Sequence, residues 1–157
     1  MSTEDHANVP VIPPVLFGAG LAAGFLLKWL VPIALLPPTL ERPACFAGSA
    51  LALLGLAFGG SALWTFLRAR TTPHPNHPVS VLVTSGPYRV SRNPMYVGLS
   101  AGLAGIALVA NTPWILVALP PVWFGLRRLV IYREEAYLEQ TFGEEYRAFK
   151  ARTRRWL

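Results

Sequence analysis

The sequence predicts an all-α, polytopic integral membrane protein with about four transmembrane helices followed by a C-terminal amphipathic helix. Hydrophobic residues make up 53% of the 157 residues and charged residues only 14%, whereas soluble proteins carry about 25% charged residues. Four apolar runs are separated by proline-rich turns or polar segments, which is typical of helices that cross a bilayer. The length predicts a single domain, residues 1–157.

The first two predicted spans cover about residues 15–36 and residues 44–67, and the second contains no charge. About 20 apolar residues cross the hydrocarbon core, so both runs are long enough. A proline-broken turn, LPPTLERPA, joins them. Lys28 lies near the end of the first span, where its side chain can reach the headgroups; the alternative is a buried charge on a substrate path. Small residues at about four-residue spacing predict close helix packing: Gly20, Gly24, Gly48, Ala52, Gly55 and Gly59.

Residues 68–93 form a polar segment between the second and third spans. The prolines of PHPNHP exclude a long helix there, and VSVLV is a short apolar piece that could lie extended. Connections of this length without secondary structure are uncommon unless they have a function. The segment therefore predicts a functional loop.

Two further apolar runs, residues 95–110 and 114–131, read as a helical hairpin joined by the tight turn NTP. Each is short for a full crossing, and Pro120-Pro121 is expected to kink the second. A charged C-terminal helix follows over residues 132–151. Its apolar stripe could rest on the membrane surface or on the bundle, and consists of Leu138, Phe142, Tyr146 and Phe149.

Four spans place both termini and the 68–93 loop on the same side of the membrane. All 14 Lys and Arg residues except Lys28 and Arg42 lie at or after position 68, so this side is predicted to be cytoplasmic, in a bacterial inner membrane. The same distribution, beside apolar runs, argues against a nucleic-acid partner despite the net charge of +6. Two chemically rich segments, far apart in sequence, are thus expected to face the same compartment.

The first of these segments is TSGPYRVSRNPMYVG, residues 84–98. Gly86-Pro87 predicts a turn, and Asn93-Pro94 predicts a helix start with Asn as the N-cap and Pro at the first helical position. An anion could bind the free backbone N–H groups at the helix start together with Arg89 and Arg92. An aromatic ring of a ligand could pack against Tyr88 and Tyr96. A ligand with a carboxylate and an aromatic ring fits this set. The alternative is a basic cuff with interfacial tyrosines.

The sequence shows no catalytic triad and no cluster of metal-ligating residues. The single Cys45 excludes an internal disulfide and a cysteine-rich metal site. His6, His74 and His77 have no ligand-like partners nearby, and the last two read as loop residues. We therefore predict no metal site and assign no catalytic residue.

Two separated motifs carry a resemblance to a known family. VLVTSGPYRVSRNPMYVG is followed about 35 residues later by REEAYLEQTFGEEYRAFKARTRRW, and together they span roughly residues 76–156. This pair closely resembles the isoprenylcysteine carboxyl methyltransferase family, to which the phospholipid N-methyltransferases are related. The resemblance implies an integral membrane methyltransferase that binds S-adenosyl-L-methionine in a cavity facing the cytoplasm.

The resemblance also implies which residues contact the cofactor. Carried over by motif, they are Ser80, Val81, Leu82, Val83, Tyr88, Asn93, Pro94, Met95, Tyr96 and Glu134. Arg133 and Glu135 are near neighbours of this set. In the eukaryotic enzymes the position of Asn93 is His, and Asn cannot titrate near neutral pH. Asn in place of His argues against carboxyl methylation of prenyl-cysteine more than it argues against methyl transfer itself.

The function expected from the sequence is methyl transfer from S-adenosyl-L-methionine to a small lipophilic or membrane-embedded acceptor at the cytoplasmic face. Prenylated peptides, phospholipid amines, fatty acids and isoprenoid metabolites all fit an apolar entrance. Arg127 and Arg128, with Arg133 close by, could meet an anionic headgroup of the acceptor, or could serve only as membrane anchors. The alternative from another class is a non-catalytic membrane scaffold or lipid-binding protein that retains the fold.

Overall fold

The computed structural model describes Ala7 and residues 9–71 and 79–157, and its regular elements are all helical. The six α-helices are α1 (Pro13–Leu30), α2 (Pro38–Arg68), α3 (Pro94–Val109), α4 (Trp114–Leu126), α5 (Tyr132–Phe142) and α6 (Glu144–Arg152). A single 3₁₀ turn (Gly86–Arg89) precedes α3, and a π-helical segment (Arg127–Ile131) joins α4 to α5. The described part of VSVLV, residues 79–83, forms neither helix nor strand.

Three helices are long and apolar enough to cross a membrane: Pro13–Leu30, Pro38–Arg68 and the continuous helix Trp114–Phe142. The fourth apolar helix, Pro94–Val109, has 16 residues and is shorter than a full crossing. The predicted all-α membrane architecture is confirmed. Three of its four apolar segments meet the length of a span, and α3 packs along α2 as the shorter fourth member of the bundle.

Prolines set the helix boundaries between α1 and α2 differently from the sequence prediction. Helix α1 ends at Leu30 rather than near residue 36, because Val31 precedes Pro32 and leaves the helical region with φ −135°. Helix α2 begins at Pro38, so most of the predicted LPPTLERPA turn is helical. Proline fits the first helical positions, where the missing N–H would have no helical partner.

The C-terminal helix predicted over residues 132–151 is two helices, and the first of them continues the last span. The chain stays helical through Pro120-Pro121 and through the π-helical segment, where the Tyr132 N–H bonds Arg127 O. It ends at Gly143, whose φ of +51° suits glycine and reverses the chain into α6. The wider π turn changes the direction in which the residues after it point, among them Glu134 and Glu135.

Glycines hold the bundle together at two interfaces, as their spacing predicts. A Cβ added to Gly48 would lie 2.6 Å from Gly105 O, and one added to Gly55 would lie 2.6 Å from Gly98 O. Helices α2 and α3 therefore touch backbone to backbone. Helix α1 approaches α4 in the same way, because Gly20 and Gly24 face Val122 and Ile115.

Polar contacts close the end of the bundle where α3 ends and α4 begins. Lys28 Nζ donates to Ala110 O at 2.6 Å, and Trp114 Nε1 donates to Val31 O at 2.7 Å. The Asn111 side chain accepts from Leu36 N at 2.8 Å. Lys28 thus satisfies a backbone carbonyl at the C-terminal end of α3. This contact is an alternative to the buried charge on a substrate path that the sequence left open.

Candidate functional site

A cleft lies at the other end of the bundle, where the end of α2, the start of α3 and helices α5 and α6 meet. Its polar lining comes from two segments that are distant in sequence: residues 88–96 and the start of α5. The lining residues are Ala7, Phe66, Val79, Val81, Leu82, Val83, Tyr88, Arg92, Asn93, Met95, Tyr96, Glu134, Glu135, Tyr137, Leu138, Tyr146 and Phe149. The expected convergence of the two segments at one end of the bundle is therefore observed.

The 3₁₀ turn places Tyr88 inside the cleft. Gly86 takes a φ of +59° and packs against Thr65 of α2, so a side chain there would be strained and crowded. The Tyr88 ring meets Phe66 edge-on, with centroids 5.3 Å apart. Its buried hydroxyl has no hydrogen-bond partner among the described residues. Burial, and next the charge of Glu134, raise the pKa of Tyr88, so the phenol stays neutral and can donate.

Helix α3 begins at Asn93-Pro94 as predicted, but the Asn93 side chain does not cap it. The backbone carbonyl of Asn93 accepts from Tyr96 N and Val97 N, both at 3.1 Å. The side-chain Nδ2 instead donates to Arg155 O at 2.9 Å, on the C-terminal tail. Asn93 thus ties the start of α3 to the tail by its amide, and its predicted role as a side-chain N-cap is wrong.

One hydrogen-bonded pair joins the two segments across the cleft. The Tyr96 hydroxyl donates to the Glu134 carboxylate, with oxygen–oxygen distances of 3.0 Å and 3.2 Å. The tyrosine is buried and the glutamate is half-buried. The carboxylate is therefore held by a neutral donor, and among the described residues it forms no ion pair.

The second carboxylate, Glu135, lies between two arginines. Arg155 donates to both of its oxygens, Nε at 2.9 Å and Nη2 at 2.7 Å, in a bidentate arrangement. Arg92 Nη1 lies 3.3 Å from Glu135 Oε1. The Arg92 guanidinium is nonetheless undersatisfied, since its buried Nε and Nη1 have no hydrogen-bond partner within the described ranges. Two cations and one anion leave this group with a net positive charge.

The C-terminal tail, residues 153–157, covers the start of α3. Arg92 N donates to Arg154 O at 2.9 Å, and Ser91 Oγ donates to Arg155 O at 3.2 Å. The Trp156 ring lies 6.2 Å from the Trp123 ring of α4, centroid to centroid. The tail is thus fixed both to the motif at residues 91–93 and to the last span.

The aromatic stripe of the C-terminal region forms a wall of the cleft. Leu138, Tyr146 and Phe149 line it, and they pack in one cluster with Val83 and Tyr88. Of the two placements that the sequence left open, the stripe rests on the bundle. Burial, and next the charge of Glu135, raise the pKa of Tyr146 to about 12, while Arg92 acts in the opposite direction.

Most residues that the sequence singled out for the cofactor lie in this cleft, and two do not. The lining includes Val81, Leu82, Val83, Tyr88, Asn93, Met95, Tyr96 and Glu134. Ser80 is outside the lining and exposed, and its hydroxyl donates to Thr71 Oγ1 at 3.5 Å. Pro94, at the start of α3, is fully buried and does not line the cleft. His6, His74 and His77 lie outside the described residues.

The three arginines proposed for a headgroup lie outside the cleft lining and are exposed. Arg127 Nε donates to the Tyr132 hydroxyl at 2.7 Å, and its guanidinium carbon lies 5.2 Å from the centre of that ring. Arg128 lies 5.4 Å from the Phe124 ring. These cations and rings are arranged as they are at membrane interfaces.

Sequence reasoning missed Phe66 and Arg155 as site residues. Phe66 sits at the end of an uninterrupted apolar run and carries no signal that separates it from its lipid-facing neighbours. Arg155 is one of several basic residues of the tail, and it reaches Glu135 only because the tail folds back on residues 91–93. Among the residues that the structure describes, no group of three or more His, Cys, Asp or Glu side chains could hold a metal ion.

Known proteins resemble part of this chain. An uncharacterized protein of Haemophilus influenzae (strain ATCC 51907 / DSM 11121 / KW20 / Rd) is 41% identical over 59 residues, which cover 33% of this chain and 90% of that protein. No solved structure matches the chain. The phospholipid methyltransferase family matches residues 43–145, which include most of α2, the cleft-forming loop and both cleft glutamates. Because this match covers more than half of its length, the chain belongs to the phospholipid methyltransferase family.

Proposed function

We propose that this integral membrane protein transfers a methyl group from S-adenosyl-L-methionine to a small lipophilic acceptor at the cytoplasmic face of the bacterial inner membrane. Membership of the phospholipid methyltransferase family supports methyl transfer at a membrane in general. We further propose the identity of the cofactor, the class of acceptor and the cytoplasmic orientation of the cleft. The observation that carries it is the meeting of Tyr88, Arg92, Tyr96 and Glu134 in one cleft.

The polar groups of the cleft fit the cofactor's functional groups. Arg92 has two buried nitrogens without a hydrogen-bond partner among the described residues, and these donors suit the carboxylate of the cofactor's amino-acid part. The Glu134 carboxylate can accept from ribose hydroxyls or balance the sulfonium charge, and Tyr96 holds it in place. The unpartnered Tyr88 hydroxyl is a further donor. The unpartnered Arg92 nitrogens and Tyr88 hydroxyl are donors, and the carboxylate and ribose oxygens of this ligand are complementary acceptors.

The walls of the cleft suit the flat, apolar part of a nucleoside. Aromatic faces come from two helices, with Phe66 on α2 and Tyr146 and Phe149 on α6. Leu82 and Leu138 add aliphatic surface. Such a lining with a few placed polar groups is typical of small-molecule sites. It also keeps water away from the reacting atoms, which strengthens the electrostatic contacts inside.

When bound, S-adenosyl-L-methionine would supply a methyl group already activated by its sulfonium. The chain's own residues then have to align the partners, exclude water and balance charge, so no triad or metal is required. Tyr96 fixes the direction of Glu134, and Arg92 fixes one end of the ligand. An acceptor carboxylate is nucleophilic as it stands, whereas an acceptor amine first loses a proton.

The acceptor is proposed to reach the cleft from the membrane. The first turn of α3 lines the cleft, and the exposed Trp123 Nε1 donates to Ser100 Oγ at 2.9 Å across the α3–α4 hairpin. The phospholipid amines, prenylated peptides, fatty acids and isoprenoids named above all suit an entrance beside this hairpin. Arg127, Arg128 and Arg133 are close to the end of the last span, where they can contact an anionic headgroup or anchor the helix.

The cytoplasmic orientation is supported by the distribution of charge along the folded chain. The cleft end of the bundle carries Arg89, Arg92 and the arginines of α5, α6 and the tail. The opposite end carries Lys28, and Arg42 in the first turns of α2. Basic residues concentrate on the cytoplasmic side of bacterial inner-membrane proteins, so this distribution supports a cleft that faces the cytoplasm, where the soluble cofactor is available.

Methyl transfer can be tested directly with a membrane lipid extract. Detergent-purified protein is incubated with isotope-labelled S-adenosyl-L-methionine and the extract, and lipids are analysed by mass spectrometry. We expect one lipid class to gain a single labelled methyl group with the unaltered protein and far less with Glu134→Ala. Glu145→Ala, which removes an exposed carboxylate outside the cleft, is the matched control and should retain activity.

The alternative, a lipid-binding scaffold, gives a different result in the same experiment. A scaffold would bind lipid from the extract without adding any methyl group. The absence of labelled product with every lipid fraction, from protein that binds lipid, would favour the scaffold over the enzyme.

A further inference from the structure

We infer that Arg155, in the C-terminal tail, is a positioning residue that keeps Arg92 able to bind a ligand carboxylate. It acts by occupying Glu135, the carboxylate that would otherwise pair with Arg92 more closely. This inference rests on the proposed function, because the ligand carboxylate is that of the proposed cofactor. It assigns a role to a residue at the end of the second motif that lies outside the cleft lining.

The hydrogen bonds of Glu135 are divided unequally between the two arginines. Arg155 donates to both oxygens, at 2.9 Å and 2.7 Å, which is the strong bidentate arrangement. Arg92 approaches the same carboxylate to 3.3 Å through Nη1, which forms no hydrogen bond there. Arg92 is therefore held near Glu135 by charge while its donors remain available.

Arg92 lines the cleft, and its available donors are shielded from water. The Arg92 side chain is only 10% exposed, and its Nε and Nη1 have no hydrogen-bond partner among the described residues. A buried guanidinium with unused donors is costly unless a ligand satisfies it. The charges of Arg92, Glu135 and Arg155 sum to one positive charge. One ligand carboxylate would neutralise this charge.

The backbone of the tail holds Arg155 in register with this group. Arg155 O accepts from Ser91 Oγ at 3.2 Å and from Asn93 Nδ2 at 2.9 Å, on both sides of Arg92. The Arg155 guanidinium also lies 5.5 Å from the Tyr132 ring, which limits its freedom. Asn93, the position where the chain departs from the eukaryotic motif, thus contributes by fixing the tail.

Loss of the Arg155 guanidinium would redistribute these hydrogen bonds. Glu135 would lose the hydrogen bonds to both of its oxygens while Arg92 remains 3.3 Å away. Arg92 and Glu135 would then form the bidentate pair that Arg155 now prevents. Arg92 would then have to break this pair to bind a ligand carboxylate. Removing the charge of Glu135 as well would release Arg92, so the second substitution should reverse the effect of the first.

The test compares two ligands that differ in the amino-acid part. S-adenosylhomocysteine carries the carboxylate, and 5′-methylthioadenosine has the same thioether nucleoside without it. Calorimetry on detergent-purified full-length protein should give roughly ten- to a hundredfold weaker S-adenosylhomocysteine binding for Arg155→Ala, with 5′-methylthioadenosine binding unchanged. Arg155→Ala with Glu135→Gln should recover most of the affinity. Arg154→Ala removes an exposed neighbouring charge and should match the unaltered protein.

Arg155→Lys provides a second variant should Arg155→Ala fold poorly. It keeps the charge but cannot bind bidentately, so we expect an intermediate loss for S-adenosylhomocysteine alone. Equal losses for both ligands, no loss for either, or no recovery in the double variant would overturn the role of Arg155 while leaving the proposed function intact. Failure of the unaltered protein to bind either nucleoside would overturn both.

Discussion

At the scale of single residues, the cleft contains polar groups that are buried without a partner. The Tyr88 hydroxyl and two nitrogens of Arg92 are in this position among the described residues. A buried donor without a partner costs about 1–3 kcal/mol, so such groups persist where a ligand or a function uses them. Tyr96 and Glu134, in contrast, satisfy one another at 3.0 Å.

Tyr88→Phe should separate the effects of this hydroxyl on stability and on binding. Removal of an unpartnered buried hydroxyl should raise the free energy of unfolding of the ligand-free protein by on the order of 1 kcal/mol. Loss of one hydrogen bond to the ligand should weaken S-adenosylhomocysteine binding roughly fivefold. Thermal unfolding in detergent and calorimetry measure the two quantities. A less stable variant with unchanged affinity would show that the hydroxyl is structural.

At the scale of elements, the position of the cleft depends on how closely α2 and α3 pack. Phe66 lies near the end of α2, and Tyr96 lies in the first turn of α3, so any separation of these helices displaces one cleft wall from another. The contact is made backbone to backbone at Gly48 and Gly55. Glycine is needed at these two positions because a Cβ there would collide with the backbone of α3.

Gly55→Ala should therefore destabilise the bundle, while Gly60→Ala on the same helix should not. A Cβ on Gly55 would meet Gly98 O at 2.6 Å, whereas one on Gly60 would meet nothing within 4 Å. Overpacking of this kind costs about 1–3 kcal/mol. We expect a lower midpoint of thermal unfolding in detergent for Gly55→Ala alone. Equal midpoints for the two variants would contradict the close α2–α3 contact.

Helix boundaries show where local sequence signals are sufficient and where they are not. The start of α3 at Asn93-Pro94 follows from local chemistry and was predicted. The last apolar run was expected to merge into the charged helix, and it does. The break at Gly143 was not predicted, although a glycine with positive φ is a local signal for a helix end. The end of α1 at Leu30 follows from Pro32, but a hydrophobic run alone extends the prediction to residue 36.

At the scale of the whole molecule, the fold brings two distant polar segments together at one end of an apolar bundle. The number of apolar runs and the distribution of charge were enough to predict this meeting, and the motifs supplied Tyr96 and Glu134. The contact of the tail with residues 91–93 was beyond sequence reasoning, since Arg154 and Arg155 resemble any basic terminus. Long-range hydrogen bonds of this kind appear only when the chain is folded.

The central claim is that this cleft binds the charged nucleoside of a methyl donor, and direct binding tests it best. Calorimetry of S-adenosylhomocysteine against detergent-purified protein should show saturable binding to the unaltered chain. Glu134→Ala should bind at least roughly tenfold more weakly, because a carboxylate that accepts hydrogen bonds from the ligand is lost. Glu145→Ala should bind like the unaltered chain. Undetectable binding to the unaltered protein, or the same affinity in all three proteins, would contradict the claim.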